Sequence, residues 1–93
     1  MRCFKKFYEV FAYQVNEEIS MDVPLWVHLL EKEGRLLFDV KIIIVTTNGN
    51  IDYRKGFSID GMKLNYGDYL IKDGEEIYYC DEEDFDKKYE VRT

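Results

Sequence analysis

One histidine, one proline and two cysteines in 93 residues remove most catalytic and metal-binding chemistries from this chain. Cys3 and Cys80 stand at opposite ends of it. They form no CxxC pair and share no Cys/His ligand spacing, so a zinc site has no motif to rest on. Any Ser/His or Cys/His relay would have to use His28, with Ser20, Ser58 or Cys80 as the nucleophile. None of these sits in a nucleophile elbow or a related motif. The longest unbroken apolar run, Ile42-Ile43-Ile44-Val45, is far too short to span a bilayer as a helix. Arg2, Lys5 and Lys6 are not followed by the apolar stretch of a secretion signal. The expectation is a reduced, cytoplasmic chain without a Cys3–Cys80 bridge, since disulfides are rare in that compartment. No metal, cofactor or enzymatic activity is expected.

Lysine and arginine are also missing from residues 73 to 86, which carry eight acids: Asp73, Glu75, Glu76, Asp81, Glu82, Glu83, Asp84 and Asp86. The chain's net charge is −6, with 13 basic and 19 acidic residues, so everything outside this segment is slightly basic. An acidic segment disfavours contact with a phosphate backbone, and no direct nucleic-acid binding is expected of it.

Aromatic residues are plentiful instead, with eight Tyr and six Phe. They favour strands and bury large areas. At 93 residues the chain has material for a single globular domain spanning 1–93.

Phe4 to Val15 alternates with apolar groups on both faces and predicts a strand covered on both sides. A helix is expected over Asp22 to Glu33. Asp22 would be its N-cap, Pro24 would sit in its first turn, and Gly34 would end it. Val23, Trp26, Val27 and Leu30 form its apolar stripe, and His28 falls off that stripe onto an exposed face. Arg35 to Val40 predicts a short strand. The β-branched run Lys41 to Thr47 predicts a central strand with two covered faces. Asn48-Gly49-Asn50 turns the chain into a partner strand, Ile51 to Phe57. Asp60-Gly61, Tyr66-Gly67-Asp68 and Asp73-Gly74 mark further turns between short strands at Met62 to Asn65, Tyr69 to Lys72 and Glu75 to Cys80. Asp81 should cap a helical turn, Glu82 to Asp86, before a closing strand at Tyr89 to Arg92. The fold class is α+β: a small, mostly antiparallel curled sheet or partly open barrel, with one main helix and a short C-terminal helical turn.

Two candidate sites come from these residues. Tyr66, Tyr69, Lys72 and Tyr79 could hold a nucleotide by aromatic stacking, a cation and backbone N–H groups at the Gly67 turn. Tyr78 and Tyr79 point to opposite sides of their strand, so one is expected buried and the other presented. Glu75, Glu76, Asp81, Glu82, Glu83 and Asp84 could instead form an acidic surface that docks on a basic partner. Calcium-loop spacing is absent from these carboxylates. The structural alternative is that Asp81 is an N-cap and the acids after it sit favourably in a first helical turn.

The run Asn65-Tyr66-Gly67-Asp68-Tyr69-Leu70-Ile71-Lys72, followed by Glu76-Ile77-Tyr78-Tyr79-Cys80, Phe85 and Tyr89-Glu90, resembles a group of short bacteriophage proteins of uncharacterised function. Those end in a pattern like PGDYIIKG…GE.YPC.PDIF..TYE. Glu9 to Gln14 is similar to their opening VEA.Q. strand, and Val23-Pro24-Leu25-Trp26-Val27 to their VP.W helix start. Tyr66 and Tyr79 stand where that pattern has Pro, and Asp81-Glu82 where it has a Lys-Pro region. The resemblance implies a phage accessory protein in the host cytoplasm that counters host defence by non-catalytic binding. The bound species would be a small nucleotide immune signal or a host defence protein. The alternative is an acidic interaction inhibitor, a nucleic-acid mimic docking on a basic host protein. Association of identical chains is also expected, because small domains gain core and sites that way.

Overall fold

The computed structural model describes residues 2–5, 8–17 and 23–92, with side chains described for 9–17 and 23–89. The expected helix cap at Asp22, the N-terminal strand position Phe7 and the side chain of Cys3 lie outside the described residues. The fold is α+β: the described residues form two antiparallel sheets and two helices, and neither sheet closes into a barrel among them. The chain divides into two compact units, Met1–Asn16 with Gly67–Thr93, and Glu17–Tyr66.

The first unit carries β1 (Arg2–Lys5), β2 (Tyr8–Gln14), β6 (Tyr69–Asp73), β7 (Glu76–Cys80), α2 (Glu82–Lys88) and β8 (Glu90–Arg92). Its five strands lie in the order β7-β6-β2-β1-β8. Ala12 faces Ile71 and Gln14 faces Tyr69 across the β2–β6 ladder. Val10, Ala12, Tyr69 and Ile71 are buried on one face, and Phe85 of α2 is buried with them. The Tyr69 and Phe85 rings stack at 3.8 Å with planes 5° apart, and Tyr89 adds a third ring 5.3 Å from Phe85. On the other face of β2, Phe11 is exposed, so this strand is not covered on both sides along its length. Asp81 caps α2 as its sequence predicts, accepting a hydrogen bond from the Asp84 N–H at 2.7 Å.

The second unit carries α1 (Leu25–Lys32), β3 (Leu36–Val45), β4 (Ile51–Ile59) and β5 (Met62–Asn65), with sheet order β3-β4-β5. Pro24 occupies the cap position of α1 and offers no side-chain cap. The helix ends as expected at Gly34, with φ 77°. The Gly34 N–H donates to the Glu31 carbonyl and the Arg35 N–H to the Leu30 carbonyl. These are the two hydrogen bonds of a Schellman motif, which satisfies the last carbonyls of a helix. Val27 and Leu30 of α1 are buried, as are Leu36, Phe57 and Ile59 of the sheet, and α1 packs on β3.

The β-branched run is not a central strand. It continues from Leu36 as one ten-residue strand at the edge of a three-stranded sheet. Its register against β4 shifts between Leu37 and Val40, where Asp39 takes φ 55°. The bulge joins what the sequence presents as two strands. The β4–β5 connection is an Asp60-Gly61 turn with φ 49° and 86°, as a type I′ hairpin turn requires at both central residues. Arg35 clasps Asp60 through two hydrogen bonds, at 2.8 and 3.0 Å.

Gly56 is the tight point of this sheet. A Cβ there would lie 2.2 Å from the Leu64 carbonyl oxygen and 2.5 Å from Ile42 Cδ1. Beyond it the β3–β4 hairpin changes character. Residues 56–59 of β4 are buried, whereas 51–55 are exposed on both faces. The outer half of the hairpin is therefore a two-stranded ribbon.

Candidate functional site

The ribbon places a cleft of about 400 Å³ among Asp39, Lys41, Tyr53, Arg54 and Lys55. Its geometry follows from the hairpin register. Val45 opposes Ile51 across the five-residue loop Thr46–Asn50. The Thr46 N–H donates to the Asn50 carbonyl at 2.9 Å, and Gly49 takes φ 80° within the loop. Counting back from that closure sets Lys41 directly against Lys55 and Ile43 against Tyr53. Residues paired in this way share a face of the sheet.

Like charges opposed across a ladder destabilise it. Among the described residues no carboxylate forms an ion pair with Lys41, Arg54 or Lys55. Lys41 instead places its ammonium 4.2 Å from the centre of the Tyr53 ring, within cation–π distance. The Lys41 carbonyl accepts from Lys63 Nζ at 3.2 Å, which brings another cation to the same strand. Ile43, Val45 and Ile51 are 61%, 70% and 61% exposed, and Tyr53 is 55% exposed, so an apolar strip runs beside the lysine pair. Three cations, one ring and one carboxylate line the cleft. That arrangement can take an anion with a flat or apolar body.

Asp39 is the acidic wall. Its N–H donates to the Tyr66 hydroxyl at 3.0 Å, and that hydroxyl donates in turn to Asp39 Oδ1 at 3.0 Å. Burial and the neighbouring Asp39 carboxylate raise the Tyr66 pKa, so the hydroxyl stays a donor across the physiological range. The Tyr66 ring lies 6.1 Å from the buried Phe57 ring, which anchors the contact in the unit's core.

The four tyrosine and lysine positions singled out in the sequence fall in different settings. Tyr69 is 8% exposed and stacked on Phe85, so its ring is core and not a presented surface. Lys72 turns back on its own hairpin and donates to the Gly74 carbonyl at 2.8 Å. Tyr79 is 46% exposed on the edge strand β7, and Tyr78 beside it is 47% exposed; neither is buried. The expected burial of one of this pair is not met, since both rings are about half exposed on β7. Tyr66 belongs to the second unit and serves Asp39.

The acidic residues are placed as a helix start and its approaches. Glu75, Glu76, Asp81, Glu82 and Glu83 are exposed and Asp84 is half-buried. Asp81 is the cap, Glu82, Glu83 and Asp84 form the first turn of α2, and Glu83 pairs with Lys87 at 3.0 Å. Glu76 accepts a hydrogen bond from the Tyr78 hydroxyl. His28 is exposed on α1, as its place off the stripe predicts. Burial and the Asp81 carboxylate push the free Cys80 thiol up to about 11, which keeps it an unreactive thiol at neutral pH. Among the described residues, no three His, Cys, Asp or Glu side chains are grouped to hold a metal ion. Among the described residues, no helix is long and apolar enough to cross a membrane.

Sequence reasoning missed Lys41, Tyr53 and Lys55. The usable signal was the turn: once the loop closes Val45 on Ile51, both lysines stand four residues further along their strands. No protein-family model, curated protein or solved structure matches the chain.

Proposed function

We propose that this chain works by binding and not by catalysis, as a phage-encoded accessory protein that captures a nucleotide immune signal of its host in the β3–β4 cleft. The observation that carries the reading is the opposed pair Lys41–Lys55 beside Tyr53, with neither lysine in an ion pair among the described residues. Phosphate groups would relieve the lysine repulsion, and a base would lie on the apolar strip of Ile43 and Tyr53. The resemblance of Asn65–Lys72, Glu76–Cys80, Phe85 and Tyr89-Glu90 to short phage proteins supports the biological setting. Isothermal titration against a panel of cyclic and ADP-ribose-type nucleotides tests it. Binding should weaken as salt is raised. It should fall on the order of tenfold or more when Lys41 and Lys55 are both changed to Gln, since each hydrogen bond to a charged group contributes about 1.5–3 kcal/mol. No heat with any member, across two preparations, sinks the reading.

A second reading rests on the edge strand β7, where both Tyr78 and Tyr79 are exposed beside Glu75, Glu76 and the α2 acids. Such an acidic, aromatic edge could dock on a basic host protein in place of nucleic acid. Changing Asp81, Glu82, Glu83 and Asp84 to Asn or Gln should then abolish recovery of that partner in a pull-down. Unchanged recovery counts against the acidic surface. Association of identical chains is read by light scattering at two concentrations.

A further inference from the structure

Asp39 is the anomaly of the cleft. A carboxylate in a cationic site opposes the anion the site would hold. It also sits at φ 55°, a left-handed conformation that few non-glycine residues adopt, although Asp and Asn tolerate it best. Local strain of this kind persists where surrounding contacts over-determine it, and it gathers at ligand sites. Here the over-determining contact is one side chain. Tyr66, anchored near Phe57, accepts from the Asp39 N–H and donates to its Oδ1. The bulge between Leu37 and Val40 turns this residue out of the ladder, and Asp39 lines the cleft with Lys41 and Lys55.

A carboxylate held by a single donor keeps acceptor capacity for a ligand. Against a ligand bearing only phosphate it is a penalty. Against a ligand bearing phosphate and hydroxyl groups it gains charge-assisted hydrogen bonds, which are stronger than neutral ones. We infer that Asp39, positioned by Tyr66, makes the cleft selective for phosphorylated ribose: a ribonucleotide whose hydroxyls donate to Asp39 while its phosphates meet Lys41 and Lys55. Asp39 is the specificity-determining group, and Tyr66 is a positioning residue that never touches the ligand. The inference rests on the cleft reading above and narrows its ligand class.

The test uses two probes that differ only in those hydroxyls, adenosine 5′-diphosphate and its 2′,3′-dideoxy analogue. Each is titrated into the full chain and into Asp39→Asn and Tyr66→Phe. The wild-type chain should bind the ribonucleotide on the order of tenfold more tightly than the dideoxy form, as expected for hydrogen bonds to a charged acceptor. Asp39→Asn keeps a side chain that tolerates the left-handed backbone and removes only the charge. It should weaken the ribonucleotide and tighten the dideoxy form, bringing the ratio towards one. Opposite signs on the two probes are something a merely structural role would not produce. Tyr66→Phe keeps the ring beside Phe57 and loses the hydroxyl. It should reduce the preference while leaving dideoxy affinity within about twofold, because no phosphate contact changes. Equal wild-type affinity for both probes overturns this inference and leaves the cleft reading standing. Binding of neither probe, together with silence across the wider nucleotide panel, overturns both.

Discussion

In the five-stranded unit a helix lays Phe85 on the sheet, and three stacked rings fill the space between them. The outer half of the β3–β4 hairpin, in the three-stranded unit, has no such lid: β4 is exposed from Ile51 to Lys55 and apolar side chains stand in water. Burial accounts for Tyr69, Ile71 and Phe85 of the first unit, and the start of α2 accounts for Asp81, Glu82, Glu83 and Asp84. Burial does not explain the ribbon of the second. A two-stranded ribbon is marginal alone, and opposed lysines make it more so. A feature that costs stability and is left uncovered is a better pointer to function than a charged segment with a local structural role.

The comparison breaks most sharply at Phe85. Phe85→Ala removes the buried centre of the ring stack and should cost about 3–5 kcal/mol, the usual range for Phe→Ala in a core. Hydrogen exchange should show the loss in the β2 and β6 amides. Trp26, in the other unit, should keep its native emission. Retained protection in β2 and β6 would mean that the aromatic stack is not what holds that sheet to α2.

Gly56→Ala is the matching test on the three-stranded unit. The clash at 2.2 Å is with a backbone oxygen of the neighbouring strand, which cannot swing away as a side-chain tip can. The expected cost is about 3 kcal/mol, the upper end for overpacking. Denaturant unfolding followed by Trp26 fluorescence reads it. An unchanged midpoint would show that the sheet relaxes at this point.

The turns and caps were legible because each is local. Asp60-Gly61 carries a two-residue hairpin in its own backbone preferences, Gly34 ends a helix by the same freedom, and Asp81 bonds an N–H three residues on. The cleft was not legible because it depends on register, and register depends on how a five-residue loop closes. The edge position of β3 was hidden for a related reason. A run such as Ile42–Val45 reads as covered on both faces, and only the sheet order shows that Ile43 and Val45 are exposed. The antiparallel strands divide into two sheets because β1 and β2 pair with strands from the far end of the chain, leaving the middle meander to form its own. Tyr69 and Tyr66 lie three residues apart with the Gly67 turn between them, so alternation along one strand could not show that one is core and the other a clamp.

A smaller effect separates cap from acidic surface. Asp81→Ala should cost about 1 kcal/mol through loss of the bond to the Asp84 N–H, whereas Glu82→Gln, exposed in the same turn, should stay within about 0.5 kcal/mol. Thermal melts of the two variants decide it. Equal losses would mean that charge in the first turn matters as much as the cap.

The smallest effect is a difference in the sign of the pH response. In the five-stranded unit the Cys80 thiol is raised from an ordinary 9.0 to about 11, by burial first and Asp81 second. A raised pKa means that the folded chain holds the proton more tightly. That contribution is intact below pH 9 and is lost as pH climbs towards 11. In the three-stranded unit the Arg35 hydrogen bonds lower the Asp60 pKa from 3.8. A lowered carboxylate pKa stabilises above that value and is lost as pH falls through the folded one. Asp60 is exposed, so solvent screens the pair and its share is small. Alkaline titration should therefore loosen the unit with Cys80, and acid titration the clasp on the Asp60-Gly61 turn. In a Cys3→Ser background, thiol labelling should accelerate with a midpoint near pH 11, and Asp60→Asn should flatten the acid limb of the second unit's exchange protection. A labelling midpoint near 9 would place Cys80 in water, and would remove the chemical asymmetry between the two units while leaving their difference in burial untouched.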